Sequence, residues 1–542
     1  MNLSIGIITL NAKFIHSSLS LRYLRNSARA AGYNNVWIQE FVINQPVWKI
    51  AAEIHKRKPD VIGISIYIWN RTPSFQLIEL LKKQCPTLSI VIGGPEVSFE
   101  SSPSSEYVVV SGEGEKKWVE YLGYRSRNET PPPDVLQRWN TYGTDLPDLI
   151  PPYTDEDSPL LQNKMVYLET SRGCPYHCSF CLSALDKTVR YFEDKIVRDQ
   201  ITLLAKNGAH TIKFIDRTFN LQPRRMINLM QWLAQFRTAF HFEVVGDILT
   251  NEVLDFLETI PAGLFQFEIG VQTITESVQS TIRRKQDNEK LLNAIDRLVR
   301  QDKVHLHTDL IFGLPGETLE QILHSFTQIF ALRPHELQLG FLKFLPGAPI
   351  KEVIESHRYQ FQSFPPYEMI SNKDLSADEV LYLKNFTEVF DLFYNSKRFE
   401  FSINHLLRKW SAVPLFNHLL EHMENQSHSA LSLDNQYQLF ADAFSLKENA
   451  LALDLLKLDY LYHQKVYRLP YFMQQDNGGK TFKTWQGDRR TPLVPFQHEI
   501  QMAGAQACLT PTPETAYYAV VHPEGQNGYI SRPLLERVFQ NV

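Results

Sequence analysis

Two long stretches of this sequence alternate short apolar runs with helical periodicity, and this alternation constrains the fold more than any other feature. Over residues 1–122 the apolar runs are LSIGIITL, VWIQEF, DVIGISIY, LSIVIGG and EYVVVSG, with helical patterns such as SLRYLRNSARAAG between them. Continuous apolar strands that alternate with helices are typical of a parallel sheet covered on both faces. We therefore predict an N-terminal α/β domain with a doubly wound, Rossmann-like parallel sheet. Its ligand crevice is expected beyond the carboxyl ends of the strands.

The alternation stops over residues 123–164, which are rich in proline and have the character of a linker. It returns at residue 165 with six strand candidates, which are KMVYLET, TIKFID, FHFEVVGD, LFQFEIG, HLHTDLIFG and ELQLGFLKF. Six β/α units over residues 165–372 predict a partial TIM-like (β/α)6 barrel, whose chemistry belongs at the carboxyl ends of the strands. Residues 373–542 lose the alternation, and we predict a mainly helical C-terminal domain to which the sequence assigns no role.

Composition argues against several functional classes. The 542 residues are 43% hydrophobic and 21% charged, as in ordinary globular proteins. No run of 18 apolar residues is present, so we predict no spanning helix and no membrane partner. The first residues, MNLSIGIITLNAKF, lack the pattern of a secretory signal, which predicts a cytoplasmic protein. The net charge is −5 with dispersed Lys and Arg, which argues against a nucleic-acid partner.

Three of the five cysteines lie close together in the segment TSRGCPYHCSFC. Cys174, Cys178 and Cys181 have the spacing C-x3-C-x2-C and follow the first predicted barrel strand. Cysteine thiolates are the usual ligands of iron–sulfur clusters, and three of them leave one iron of a four-iron cluster open for chemistry. A structural zinc site would need a fourth ligand, for which the same tight loop offers only His177. We therefore predict a 4Fe-4S cluster on the three cysteines, with a zinc site as the alternative.

This cysteine spacing, with Phe180 before the last cysteine, resembles the radical S-adenosylmethionine (SAM) superfamily over residues 165 to about 350. The resemblance implies that the open iron binds SAM through its amino and carboxylate groups. One-electron reduction would then cleave SAM to methionine and a 5′-deoxyadenosyl radical. The resemblance also implies a reductant such as flavodoxin or ferredoxin as partner. Catalytic residues beyond the cluster cysteines are not predicted.

Polar residues on the later strands match positions that hold SAM in similar enzymes. A cation such as Arg284 suits the SAM carboxylate, and carboxylate or amide oxygens suit the ribose hydroxyls. The segment FIDRTFN lacks the glycines of a turn common in the family, and Asp216, Arg217 and Thr218 are expected to replace it, with backbone groups that meet the SAM amine. For each residue, the alternative is a polar group that only supports the barrel. The predicted SAM-binding residues are Phe180, Asp216, Glu243, Gln272, Arg284 and Asp309.

The N-terminal domain resembles the cobalamin-binding domain that precedes many radical SAM barrels. Its fourth and fifth predicted strands run into VIGGPE and VVVSGEGE, whose glycines allow close approach to a large planar ligand. The family often has D-x-H-x-x-G after the first strand, but here Phe14 replaces the Asp and Leu19 replaces the Gly. We therefore expect His16 to be a loop residue and not a cobalt ligand. The resemblance assigns cobalamin contacts to Ser65, Gly93, Gly94, Gly112 and Glu113.

Together these resemblances predict a cobalamin-dependent radical SAM enzyme that methylates an unactivated carbon or phosphorus centre of an unidentified substrate. A rearrangement or oxidation with the same cofactors is the alternative within this class. A non-catalytic cobalamin or redox sensor is the alternative outside it, although a sensor needs no ribose-binding residues. A methylthiotransferase would need three further N-terminal cysteines, and that region offers only Cys85.

Overall fold

A computed structural model gives the fold of most of the chain. It divides into two compact units, Met1–Ala377 and Asp378–Val542. Within the described ranges, no helix is long and apolar enough to cross a membrane. Residues 140–145 and 147–148 of the predicted linker lie outside the described residues. The described residues are 3–99, 104–139, 146, 149–424, 432–463, 469–473, 483–486, 489–503, 506–521 and 534–538.

The first unit begins with five parallel strands and four helices. The strands are β1 (Ile5–Asn11), β2 (Val36–Val42), β3 (Val61–Ser65), β4 (Ser89–Gly93) and β5 (Val108–Val110). The helices are α1 (Leu19–Ala30), α2 (Val47–Lys56), α3 (Arg71–Gln84) and α4 (Glu115–Ser126). The sheet order is β2-β1-β3-β4-β5, and every neighbouring pair is parallel. This confirms the predicted doubly wound sheet.

Both faces of this sheet are covered, which explains why its strands are apolar throughout. All seven residues of β1 are buried. Ile7 belongs to a core cluster with Leu21 of α1 and Trp118 of α4. Its neighbour Ile8 points to the opposite face and packs with Leu77 of α3. Successive side chains of a strand point to opposite faces, so helices on both sides require apolar residues at every position.

The proline-rich segment contains two short helices, α5 (Pro133–Arg138) and α6 (Ser158–Leu161). The second sheet then starts with β6 (Met165–Leu168), followed by a small hairpin of β7 (Ser171–Arg172) and β8 (Arg190–Tyr191). Its other strands are β9 (Thr211–Phe214), β10 (Ala239–Val244), β11 (Phe265–Gln272), β12 (Val304–Phe312) and β13 (Glu336–Phe341). The order β13-β12-β11-β10-β9-β6 is parallel throughout, which confirms the predicted six-stranded (β/α)6 arrangement.

Six helices accompany these strands, namely α7 (Asp194–Lys206), α8 (Pro223–Leu233), α9 (Asn251–Glu258), α10 (Glu276–Thr281), α11 (Asn288–Gln301) and α12 (Leu319–Ala331).

Along β11 and β12 every second residue is buried, and the residues between them are half-buried. The buried face is mostly apolar, while the other face carries Glu268, Gln272 and Asp309. A barrel interior is ordinarily filled with Val, Ile and Leu, so this polar face departs from the usual pattern. A short antiparallel pair, β14 (Gln360–Phe361) and β15 (Met369–Ser371), closes the unit.

The second unit is helical in its first part, as predicted. Its helices are α13 (Ala377–Phe390), α14 (Glu400–Leu406), α15 (Ala412–Glu424), α16 (Leu433–Ala443) and α17 (Ala450–His463). Four antiparallel strands follow, which the sequence did not predict. They are β16 (Lys483–Gln486), β17 (Arg489–Ala503), β18 (Gln506–Val521) and β19 (Leu534–Val538). Prolines within these strands, such as Pro492 and Pro495, have no N–H to donate to a sheet and weaken the strand signal in the sequence.

Candidate functional site

The three cysteines line one cavity at the carboxyl ends of the barrel strands. Cys174 and Cys178 are buried, and Cys181 is half-buried. Gly173 has a φ of +90°, and a Cβ there would lie 2.2 Å from the carbonyl oxygen of Thr188. Only glycine suits this position, which turns the chain from β7 into the cysteine loop. The backbone N–H of Cys174 then donates to the carbonyl of Asp186 at 2.8 Å.

Arg284 connects the cysteine loop to the barrel. Its guanidinium donates to the carbonyl of Gly270 and lies 3.9 Å from Sγ of Cys178. Burial raises the pKa of the Cys178 thiol, and the charge of Arg284 opposes this shift. Burial likewise raises the pKa of Cys174. A cation beside the sulfur favours the thiolate, which is the form that binds metal.

Five of the six predicted SAM-binding residues line this same cavity, and each comes from a different segment of the chain. They are Phe180, Glu243, Gln272, Arg284 and Asp309. Residues that the sequence analysis did not assign lie beside them, including Tyr176, Ser183, Glu268 and Lys285. Glu268 shares a strand face with Gln272, so the period of two in EIGVQT carried a signal for it.

Asp216 is the predicted residue that the structure does not bring to the cavity. It is 1% exposed. Its carboxylate accepts hydrogen bonds from the N–H and Oγ1 of Thr170, at 2.8 and 2.6 Å, and from Oγ of Ser171 at 2.6 Å. The Asp216 side chain therefore fastens the segment that leads to Cys174, and a contact of its backbone with the SAM amine stays a prediction. Its neighbours Arg217 and Thr218 line the cavity instead.

Gln272 and Asp309 line the cavity, and each has a buried side-chain oxygen. Gln272 has a φ of +68° at a register shift between β11 and β12. Neither its Oε1 nor Oδ1 of Asp309 has a hydrogen-bond partner among the described residues. Oδ1 of Asp309 lies 3.2 Å from Nε2 of His307, but the two are not aligned for a hydrogen bond. Buried acceptors without donors are costly, so they fit a ligand that brings hydroxyl or ammonium groups, as SAM does.

The acidic side chains of this cavity differ in the direction of their pKa shifts. Burial by itself raises the pKa of Glu268, but hydrogen bonds from His241 and Lys213 outweigh burial and lower the pKa to about 2. Burial raises the pKa of Glu243, and the charge of Arg217 opposes this shift. Burial also raises the pKa of Asp309, with His307 opposing. Glu268 is therefore a fixed anion, while the other two carboxyls have environments that disfavour their charged forms.

A second cavity lies at the carboxyl ends of β3, β4 and β5 in the N-terminal sheet. All five residues predicted to contact cobalamin line it, namely Ser65, Gly93, Gly94, Gly112 and Glu113. Gly94 has a φ of +107°, and a Cβ there would lie 2.4 Å from the carbonyl oxygen of Ile66. Tyr67, Glu115, Trp118 and Arg172 also line the cavity and were not predicted. Oε2 of Glu115 is buried and has no hydrogen-bond partner in the described part of the chain, so this site fits a ligand that carries amide donors, as cobalamin does.

His16 lies away from both of these cavities. Its Nδ1 is 2.8 Å from the hydroxyl of Tyr167 on β6. Its backbone forms a parallel bridge with Met165, whose N–H donates to the carbonyl of Ile15 at 3.0 Å. The loop after β1 therefore extends the edge of the barrel sheet. This placement agrees with the expectation that His16 is not a cobalt ligand, which stays a prediction.

Two family models match the part of the chain that carries these cavities. The B12 binding domain matches residues 5–122, and the Radical SAM superfamily matches residues 168–329. The chain therefore combines a B12-binding domain with a radical SAM domain. This confirms the predicted family, and the cofactors of these proteins are a 4Fe-4S cluster, SAM and cobalamin. Residues 355–494 match a third model, described as protein of unknown function (DUF4080).

Named relatives are similar to more than half of this chain. The cobalamin-dependent radical SAM methyltransferase TokK of Streptomyces tokunonensis is 28% identical over 370 residues, covering 62% of this chain and 54% of TokK. The 2-(S-pantetheinyl)-carbapenam-3-carboxylate methyltransferase of Streptantibioticus cattleyicolor is 25% identical, covering 65% of this chain and 56% of that protein. The chain thus spans about half the length of these relatives. The cobalamin-dependent SAM radical enzyme OxsB with aqua-cobalamin and SAM bound shares the fold, with a TM-score of 0.56 and 13% identity, covering 84% of this chain and 78% of OxsB.

Proposed function

We propose that this chain is a cobalamin-dependent radical SAM methyltransferase that acts on an unactivated carbon or phosphorus centre. One observation supports this most strongly: a single short segment borders both cavities. Arg172 lines the cavity of the N-terminal sheet, and Cys174, two residues later, lines the cavity of the barrel. The two cofactor sites are therefore neighbours within one compact unit, as a reaction that uses both cofactors requires.

In the barrel cavity, the three cysteines hold the cluster and the polar side chains hold SAM. Arg284 pairs with the SAM carboxylate, because a guanidinium binds carboxylates strongly. Gln272 and Asp309 accept hydrogen bonds from its ribose hydroxyls or amine, which satisfies their buried oxygens. Phe180 packs near the adenine, and Glu243 provides a further acceptor at the same cavity.

In the N-terminal cavity, the glycines bring backbone close to cobalamin, and polar side chains bind its periphery. Gly93, Gly94 and Gly112 add no side-chain bulk at the strand ends. Ser65 and Glu113 offer a hydroxyl and a carboxylate beside them. When bound, the cluster supplies the electron that cleaves SAM, and cobalamin supplies the methyl group. The electron comes from a protein reductant such as flavodoxin or ferredoxin.

Product analysis tests this proposal. The full chain is reconstituted anaerobically with iron and sulfide, with or without hydroxocobalamin, then reduced and incubated with SAM. We expect 5′-deoxyadenosine in both samples, and S-adenosylhomocysteine only in the sample with cobalamin, because loss of the SAM methyl group leaves that product. The triple variant Cys174→Ala/Cys178→Ala/Cys181→Ala is the control and should yield no 5′-deoxyadenosine. Cobalamin-loaded protein that forms 5′-deoxyadenosine without S-adenosylhomocysteine would exclude methyl transfer and favour a rearrangement or oxidation.

A further inference from the structure

Arg172 lines the N-terminal cavity and lies two residues before Cys174, which lines the barrel cavity. It belongs to β7, directly before the glycine that turns the chain into the cysteine loop. Its side chain is only 12% exposed and lines the N-terminal cavity. The contacts of this side chain therefore hold the chain two residues before Cys174.

Three carboxylates surround the Arg172 guanidinium. Nη2 lies 2.8 Å from Oε1 of Glu115 and 2.7 Å from Oε1 of Glu169, and Nη1 lies 3.6 Å from Oε2 of Glu113. Glu169 belongs to the same segment of chain as Arg172, whereas Glu113 and Glu115 come from the N-terminal domain. Breaking a buried ion pair leaves an uncompensated charge, so Arg172 keeps Glu115 and the β7 segment together.

Glu115 is shared between this ion pair and the N-terminal cavity. It is the first residue of α4 and is 7% exposed. Its Oε1 accepts from Arg172, while its Oε2 is buried and without a hydrogen-bond partner among the described residues. An amide donor on the corrin periphery would satisfy Oε2 and thereby fix the orientation of the whole carboxylate.

A second chain of contacts runs parallel to the first. Nη2 of Arg190 lies 2.8 Å from Oε1 of Glu113 and also contacts Oδ2 of Asp186. The carbonyl of Asp186 accepts the backbone N–H of Cys174 at 2.8 Å. The loop Gly112–Glu115 is thus tied to the cysteine loop from both sides.

We propose that the Glu115–Arg172 pair couples cobalamin binding to cluster binding, so that each cofactor tightens the other. The inference rests on the proposed function, since it needs both cofactors in their assigned cavities. Cobalamin orders the Glu115 carboxylate, which holds Arg172 and the segment that presents Cys174. The cluster fixes Cys174 and, through the same contacts, orients Glu115 towards the N-terminal cavity. Coupling between two sites is reciprocal in binding free energy.

The test compares hydroxocobalamin affinity in the full chain with and without a reconstituted cluster. Absorbance titrations under anaerobic conditions give the dissociation constant of cobalamin in both states. Iron analysis verifies whether the cluster is present in each sample. For the unsubstituted chain we expect roughly 5–50-fold tighter cobalamin binding with the cluster, as is typical of coupled sites. In Glu115→Gln and in Arg172→Gln the ratio of the two constants should fall to about one, because the charged pair is broken. The matched control is Glu120→Gln on the same helix, whose carboxylate bonds Trp139 and Arg138, and it should keep the full ratio.

Each outcome decides the proposal. A ratio of one in the unsubstituted chain, or an unchanged ratio in both variants, would overturn it while leaving the proposed function intact. Failure of the unsubstituted chain to bind cobalamin in either state would overturn the proposed function itself. If Arg172→Gln does not fold, as judged by circular dichroism, Glu115→Gln alone carries the test. The reciprocal measurement is the rate of iron loss to a chelator, which cobalamin should slow in the unsubstituted chain and not in Glu115→Gln.

Discussion

At the scale of single residues, the structure makes Asp309 the sharpest test of the SAM site. Asp309 lines the cavity, and its Oδ1 is buried and has no hydrogen-bond partner within the described ranges. Asp309→Ala should weaken SAM binding about 10-fold or more, since a lost hydrogen bond to a charged group is worth about 1.5–3 kcal/mol. Equilibrium dialysis measures the affinity for SAM, and iron analysis measures the cluster content. The iron content should not change. Asp296→Ala, in a surface i,i+4 pair on α11, is the control, and unchanged SAM affinity in Asp309→Ala would assign Asp309 a structural role.

Glu317 is a second residue with a measurable signature, because it supports the turn that presents Gln272. It is 1% exposed and accepts a hydrogen bond from Oγ1 of Thr273 at 2.5 Å. Burial raises the pKa of Glu317 to about 8. The folded chain therefore keeps the proton while the unfolded chain loses it above about 4.5, so this group lowers stability as the pH rises from about 4.5 to 8. Glu317→Gln should flatten that dependence in denaturant midpoints measured across this range, and an unchanged slope would contradict the protonated state.

At the scale of elements, the loop after β1 forms part of the barrel edge and holds His16 against Tyr167. We expect the Co(II) electron paramagnetic resonance spectrum of the cobalamin-loaded protein to show no nitrogen superhyperfine splitting from histidine. His16→Ala should leave that spectrum unchanged. Splitting that disappears in His16→Ala would show that the loop turns its histidine to cobalt.

The elements also show what the sequence could predict. Apolar runs and glycines are local signals, so both parallel sheets, the cysteine loop and the glycine-bearing strand ends were predicted from sequence. The role of the Asp216 carboxylate was not predicted, because its hydrogen bond with Thr170 joins residues 46 positions apart. The Glu115–Arg172 pair spans 57 positions, and local sequence patterns do not predict contacts between residues so far apart. The polar face of β11 and β12 was visible as alternation, but only the folded arrangement of the strands and loops shows that it borders a cavity.

At the scale of the whole molecule, two sheets of different architecture place their strand ends around two cavities within one unit. The central claim is that three cysteines of this unit hold one 4Fe-4S cluster and that the same chain holds cobalamin. Cofactor stoichiometry tests it most directly, by iron, sulfide and cobalamin analysis of the full chain reconstituted anaerobically with saturating hydroxocobalamin. We predict about four irons and one cobalamin per chain, and loss of the cluster with retention of cobalamin in Cys174→Ala/Cys178→Ala/Cys181→Ala. A full cluster in the triple variant, or a chain that binds no cobalamin, would contradict the claim.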